Sequence, residues 1–287
     1  MAKIRFLILL LCVFLLSMTL DKPSYRIFDV RGRKATYGKM LKDISQCQVV
    51  LFGEMHDNPI SHWLELQLTK DLFAIKKQNL VLGAEMFEAR DQGMMDKYLK
   101  GEMVEDTFRK KVNLWSNYST DYRPLVEFAR NTNLKFIATN VARKYAAMVM
   151  KGGFEKLDSL NVDEKKYLAP LPVLYDPELE QYKKMLSMAE PGHNSPNLPK
   201  AQAIKDATMA YFISQNLSEG KLFLHFNGSY HSDFYEGIMW YLKQKNANMR
   251  IMTITTVEQS DISKLTPDNI MAADYIICVP DDMTKTY

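Results

Sequence analysis

Short apolar runs, each set off from the next by a helical pattern, constrain this 287-residue chain more than any other feature. The runs are CQVVLFG (47–53), LVLGAE (80–85), LKFIATN (134–140), KLFLHFNG (221–228), RIMTITT (250–256) and ADYIICV (273–279). Runs of this length without polar alternation suit strands buried on both faces. Strands alternating with amphipathic helices form a mainly parallel sheet with helices on either side. The expected class is therefore α/β. The helix after the first run is the clearest: Asp57 or Asn58 can cap it and Pro59 suits its first position. Leu64, Leu68, Leu72 and Ile75 recur along one of its faces.

Two stretches break the alternation. Residues 86–133 hold several helical patterns between consecutive strands, among them QGMMDKYLKG and YRPLVEFARN. Residues 152–199 carry prolines at 170, 172, 177, 191, 196 and 199, which excludes one long regular element. Both are expected as helical excursions, a smaller inserted helical subdomain with a lid-like loop, at one end of the sheet.

The first residues belong to a different category. Lys3 and Arg5 precede an apolar run from Phe6 to Leu16, and Ser17 and Thr19 follow it. That is the pattern of a secretory signal, so residues 1–20 are expected to be removed and 21–287 to form one exported domain, periplasmic or outer-membrane-associated. Leu11 stands before Cys12 where a lipoprotein signal has a small residue. Loss of Lys3 and Arg5 lowers the formal charge by two, from +3 to +1, so nothing points to nucleic acid as a partner. Cys47 and Cys278 both lie in apolar runs, which suits two buried thiols at least as well as a disulfide.

In open parallel sheets ligands gather beyond the carboxyl ends of the strands. There the sequence places Glu54, His56 and Asp57 after the first run, Glu85 after the second, Asn140 and Arg143 after the third, and Ser229 and His231 after the fourth. Two Gly-x-x-His segments, GEMH (53–56) and GSYH (228–231), use two of only five histidines. Gly53 and Gly228 are expected to turn the backbone tightly and bring His56 and His231 together. With Glu54 and Glu85 they form a candidate divalent-metal site, and His56 or Glu85 is a candidate general base without a metal. The competing reading is local: Glu54 and Asp57 capping the next helix, and His231 bonded to the start of another. For His62 within a helix and His225 within a strand a structural role is expected, and Glu88, Arg90 and Asp91 are expected at a solvated helix start.

Methionines and tyrosines, including Met94, Met95, Met185, Met188, Tyr98, Tyr122, Tyr175 and Tyr182, gather in the excursions. Most such residues pack helices, yet together they suit a pocket for a flat apolar ligand. His193 in AEPGHNSP lies in a loop from which an axial ligand can reach haem iron.

LFGEMHDNP, LGAEMFEARDQ, DYRPLVEFAR, IATNVARKYAAMVMKGG, AQAIKDATMAYFI and NGSYHSDFYEG occur in that order from about Val49 to Gly237. In these segments the chain resembles the ChaN-like, iron-regulated haem-binding (lipo)proteins of the Tiki/erythromycin-esterase-like superfamily. The resemblance implies an α/β domain, haem as ligand, and haem or iron uptake. It further implies a homodimer that stacks two haems, each held by a tyrosine, and an outer-membrane haem receptor as partner. Tyr122, Arg143, Tyr182, Met188 and His193 are the candidate haem contacts. Elsewhere in the superfamily the paired Gly-x-x-His turns and a Glu serve metal-dependent hydrolysis of peptides or esters, which carries over to His56, His231 and Glu85 with Glu54 beside them. Ala142 stands where the family often has Pro.

Overall fold

The computed structural model describes residues 22–188 and 195–287. Its strands are β1 (Arg26–Asp29), β2 (Lys34–Ala35), β3 (Val49–Glu54), β4 (Leu80–Glu88), β5 (Lys135–Asn140), β6 (Leu222–Gly228), β7 (Ile251–Gln259) and β8 (Tyr275–Pro280). Its helices are α1 (Tyr37–Ile44), α2 (Pro59–Lys76), α3 (Gln92–Leu99), α4 (Glu105–Lys111), α5 (Arg123–Thr132), α6 (Arg143–Gly152), α7 (Val162–Lys165), α8 (Glu180–Met188), α9 (Leu198–Gln215) and α10 (Ile238–Lys245). The strands form one sheet in the order β2-β1-β8-β7-β3-β6-β4-β5. All six apolar runs become strands, β3 to β8, and every pair among them is parallel. Only β1, antiparallel to both β2 and β8, departs from this. Those two strands come from segments too short and too polar to stand out as apolar runs.

Side chains alternate across the sheet with period two. Val49 and Leu51 face Met209 and Ile213 of α9 and Ile238 and Leu242 of α10. Val50 and Phe52 face the other way, into the larger cluster with Leu64, Leu68 and Leu72 of α2. The Asn58 side chain caps α2 by accepting from the Ile60 and Ser61 amides at 3.0 and 3.1 Å, with Pro59 in its first turn. Ile75 departs from expectation: it shares the angular face of the three leucines but is 51% exposed. Its exposure therefore reflects where the cover over α2 ends, not its periodicity.

The two excursions differ in kind. Tyr98, Phe108, Tyr118 and Tyr122, from the stretch 86–133, join the same core as β3 and α2. Val141, Tyr145, Val149, Leu157 and Leu168 make a separate small cluster with Ala201 and Ile204 of α9. Both Cys47 and Cys278 are free thiols. No helix of the described residues is long and apolar enough to cross a membrane. Residues 1–20 with Cys12, and His193, lie outside the described residues, as does the side chain of Met188.

Leu68→Ala removes a fully buried side chain and is expected to cost about 2–5 kcal/mol in urea unfolding. Ile75→Ala, on the same helix face, should stay within about 0.5 kcal/mol of the parent. Equal losses for the two would contradict this account of the α2 interface.

Candidate functional site

Although β3 and β4 follow each other in sequence, β6 lies between them in the sheet. Glu54 is in register with Gly228, and Ala84 with Phe226. The residues after all three strands therefore emerge at one rim. The parallel register of β4 with β5 is interrupted between Ala84 and Glu88, an irregularity of the kind that re-aims side chains beside functional sites.

The glycines of the two Gly-x-x-His segments act by space, not by turning. Neither has a positive φ. A Cβ on Gly228 would stand 2.7 Å from His56 Nε2 and 3.5 Å from Glu85 Oε2, and one on Gly53 would stand 3.0 Å from Ser229 Cα. Absence of a side chain lets the imidazole of one segment lie against the backbone of the other.

Around this contact two of the expected residues, Glu85 and His231, form a chain of charge with Asp206. Glu85 accepts from the Gly228 amide at 2.8 Å and lies 3.1 Å from His231 Nε2. The other ring nitrogen, Nδ1, bonds Asp206 of α9, and the side-chain amide of Gln202 lies 3.0 Å from it. Burial opposes a charge on His231, but Glu85 and Asp206 outweigh it and push the imidazole up to about 9. Burial likewise disfavours ionised Glu85, yet His231, through its charge and hydrogen bond, holds that carboxyl well below the usual range.

Of the other two expected residues, Glu54 is buried and accepts through Oε1 from His56 Nδ1 and from the Tyr122 hydroxyl, both at 2.7 Å. Burial and the neighbouring Glu65 charge push Glu54 up to about 8. Burial works against the charged form of His56, but the Glu54 hydrogen bond and the nearby carboxylates raise it overall. Its ring meets Trp115 edge-on at 4.8 Å between centroids.

Glu54, His56, Glu85, Gln202 and His231 line a cleft of about 990 Å³ at the carboxyl ends of the strands, at the upper end of the range for ligand pockets. Met55, Met86 and Trp115 contribute apolar wall, Arg143 and Lys205 positive charge, and Tyr230 and Tyr287 phenols. Arg143 sits at the first position of α6, its amide donating to Glu88 at 3.0 Å. The two candidate tyrosines lie elsewhere. Tyr122 and Tyr182 are buried, with hydroxyls committed to Glu54 and Asp206, and neither lines the cleft. Asp57 accepts from Lys285 at 3.4 Å, and neither it nor Glu54 caps α2.

Sequence reasoning missed several residues here. Glu88 was expected at a solvated helix start, but it is buried and receives the Arg143 amide because β4 runs three residues further than its apolar run. Gln202 and Asp206 stand four apart on a helix otherwise rich in Ala, Ile and Met, and both are buried on the face that meets His231. His225 is structural: burial lowers it to about 4, and it bonds Thr139 and Asn227 at 2.7 and 3.1 Å.

Residues 40–242 match the family described as haem-binding uptake, Tiki superfamily, ChaN. Among solved structures the chain is similar to the ChaN of Campylobacter jejuni, described for cofacial haem binding. The identity is 18%, the TM-score 0.68, and 88% of this chain and 96% of that one are covered. A protein from Bacillus cereus is more distant, at 10% identity and a TM-score of 0.47 over 90% of this chain and 95% of that one. No curated protein matches the chain in sequence.

Because His231 is raised from 6.5 to about 9, the stability it contributes is fully present below pH 6.5 and disappears as pH rises through about 9. The urea midpoint of the parent should fall across that window relative to His231→Gln. The differential loss should be on the order of 3 kcal/mol. Parallel pH profiles for the two proteins would show that His231 is not held charged.

Proposed function

The chain belongs to the haem-binding uptake (ChaN) family of the Tiki superfamily, and on that premise we propose that it binds haem in the cleft at the carboxyl ends of β3, β4 and β6. The observation that carries this reading is the cleft's lining. Haem is a flat apolar ring with two carboxylates and an iron that accepts an oxygen or nitrogen ligand. Methionines and Trp115 match the ring, Arg143 and Lys205 match the carboxylates, and phenols stand at the same rim. Tyr230 would hold the iron: it is 41% exposed and mounted on the turn directly after β6, next to the buried His231. When bound, haem supplies iron to be carried, and the residues of this chain supply its orientation and charge balance.

The same reading gives the chain a role in haem and iron uptake, exported by residues 1–20 and supplied by an outer-membrane haem receptor. Their basic and then apolar composition supports export. A second copy of the chain would cover the open face of the haem. A second reading, a metal-dependent hydrolase using Glu54, His56, Glu85 and His231, draws on the same imidazoles and carboxylates. Both His231 nitrogens lie against carboxylates, however, which leaves that ring no lone pair for a metal. The haem reading is the better supported.

Haemin added to the purified full chain should shift the Soret band, saturating near one haem per chain. Tyr230→Phe should weaken binding by about tenfold and move the band, since it keeps the ring and removes only the ligand oxygen. Sedimentation should register a dimer on loading. An unchanged spectrum at micromolar haemin removes the reading.

A further inference from the structure

Behind His56 the interior holds a second group of ionisable side chains, of which only Glu54 also lines the cleft. Glu54 comes from the end of β3, and His62 and Glu65 from the first two turns of α2, three apart on one face. All three are buried, and one ligand atom from each lies within 4.8 Å of the others. His62 Nδ1 stands 3.1 Å from Glu65 Oε2 and 3.6 Å from Glu54 Oε2. We propose that Glu54, His62 and Glu65 hold a divalent metal ion of the Zn²⁺ or Mn²⁺ type, in the core behind the haem cleft.

The tautomer of His62 carries the argument. Its Nε2 lies 3.0 Å from the main-chain oxygen of His56, which can only accept, so Nε2 bears the proton. In the neutral ring, Nδ1 then presents a lone pair toward two carboxylate oxygens. Three electron-rich atoms facing one another repel unless a proton or a bound cation lies among them. Glu54 Oε2 and Glu65 Oε1 have no hydrogen-bond partner although both residues are buried. No lysine or arginine pairs with either glutamate among the described residues.

A dication answers each of these demands. Two carboxylates neutralise it, and ligands about 2.0–2.2 Å from one tetrahedral ion stand roughly 3.3–3.6 Å apart, close to the 3.1 and 3.6 Å that separate His62 Nδ1 from the two glutamates. One imidazole nitrogen and two carboxylate oxygens suit first-row dications. The bond from His62 Nε2–H to a main-chain carbonyl is the outer support that metal-bound histidines commonly have. Asn117 Nδ2 donates to that same carbonyl at 3.0 Å and fixes it in turn. Through the shared carboxylate of Glu54, whose Oε1 receives His56 and Tyr122, the ion would set the orientation of an imidazole in the cleft. This inference goes beyond haem binding and does not depend on it.

The test uses the haem-free full chain, stripped with a chelator and reloaded with Zn²⁺ or Co²⁺. One metal per chain is expected by elemental analysis, with visible Co²⁺ bands and a higher Tm in the reloaded protein than in the stripped one. His62→Gln and Glu65→Gln should each weaken binding by more than about 100-fold, since even outer-shell changes cost 10–100-fold. Circular dichroism checks that the variants are folded, and the parent's Tm difference gives a result if they are not. A folded parent that takes up no metal, gives no Co²⁺ bands and has the same Tm stripped or reloaded overturns the proposal; protons then balance the glutamates. Metal retained in Glu65→Gln but lost in Glu85→Gln also overturns it, because the ion then lies in the cleft.

Discussion

A buried imidazolium between two carboxylates holds the rim of this protein together. His231 follows β6, Glu85 belongs to β4, and Asp206 lies midway along α9. None of the three charges tolerates the interior alone, because removing one partner leaves an uncompensated charge out of water. The turn after β6 is therefore tied at once to the neighbouring strand and to the helix covering it. The cleft takes its floor from that tie, and Gly228, lacking a side chain, lets His56 close in from β3.

His56 is the hinge between two electrostatic environments. On the cleft side its ring meets Trp115 and the backbone of Gly228. On the inner side its Nδ1 reaches Glu54, which belongs to a group with His62 and Glu65 fully removed from solvent. Burial pushes both Glu54 and Glu65 up to about 8, and no lysine or arginine among the described residues supplies positive charge to either. Whatever supplies that charge bears on the ring facing the ligand. Residues 286 and 287 add a further link: the Thr286 hydroxyl donates to Asp121 at 3.0 Å, and Tyr287 lines the cleft.

Much of the architecture was legible because hydrophobic runs report burial directly. The six runs became six strands, displaced by no more than a few residues at their ends, and Asn58 and Pro59 started α2 as cap and first residue. The small strands β1 and β2 were not legible, since RIFD and KA owe their pairing to β8 and not to their own pattern. At the site, Glu54, His56, Glu85 and His231 could be placed at one rim because each ends or follows an apolar run. Asp206 could not, because an acid within a helix declares neither its burial nor its partner. Tyr122 and Tyr182 were misleading in the same way: a tyrosine in a helical excursion gives no sign of whether its hydroxyl faces a ligand or an interior carboxylate.

Local pattern alone settled that this chain alternates strand with helix and that imidazoles and acids cluster beyond the strand ends. It also settled where α2 begins, since a cap and a first-turn proline act over three or four residues. Only the tertiary structure decided that β6 enters between β3 and β4, that Glu54 turns inward to His62 and Glu65, and that Gly228 serves as a gap for His56 instead of a bend. Those outcomes rest on contacts between residues far apart in the chain, whose energies depend on burial and distance, and neither quantity is written in the identity of any single residue.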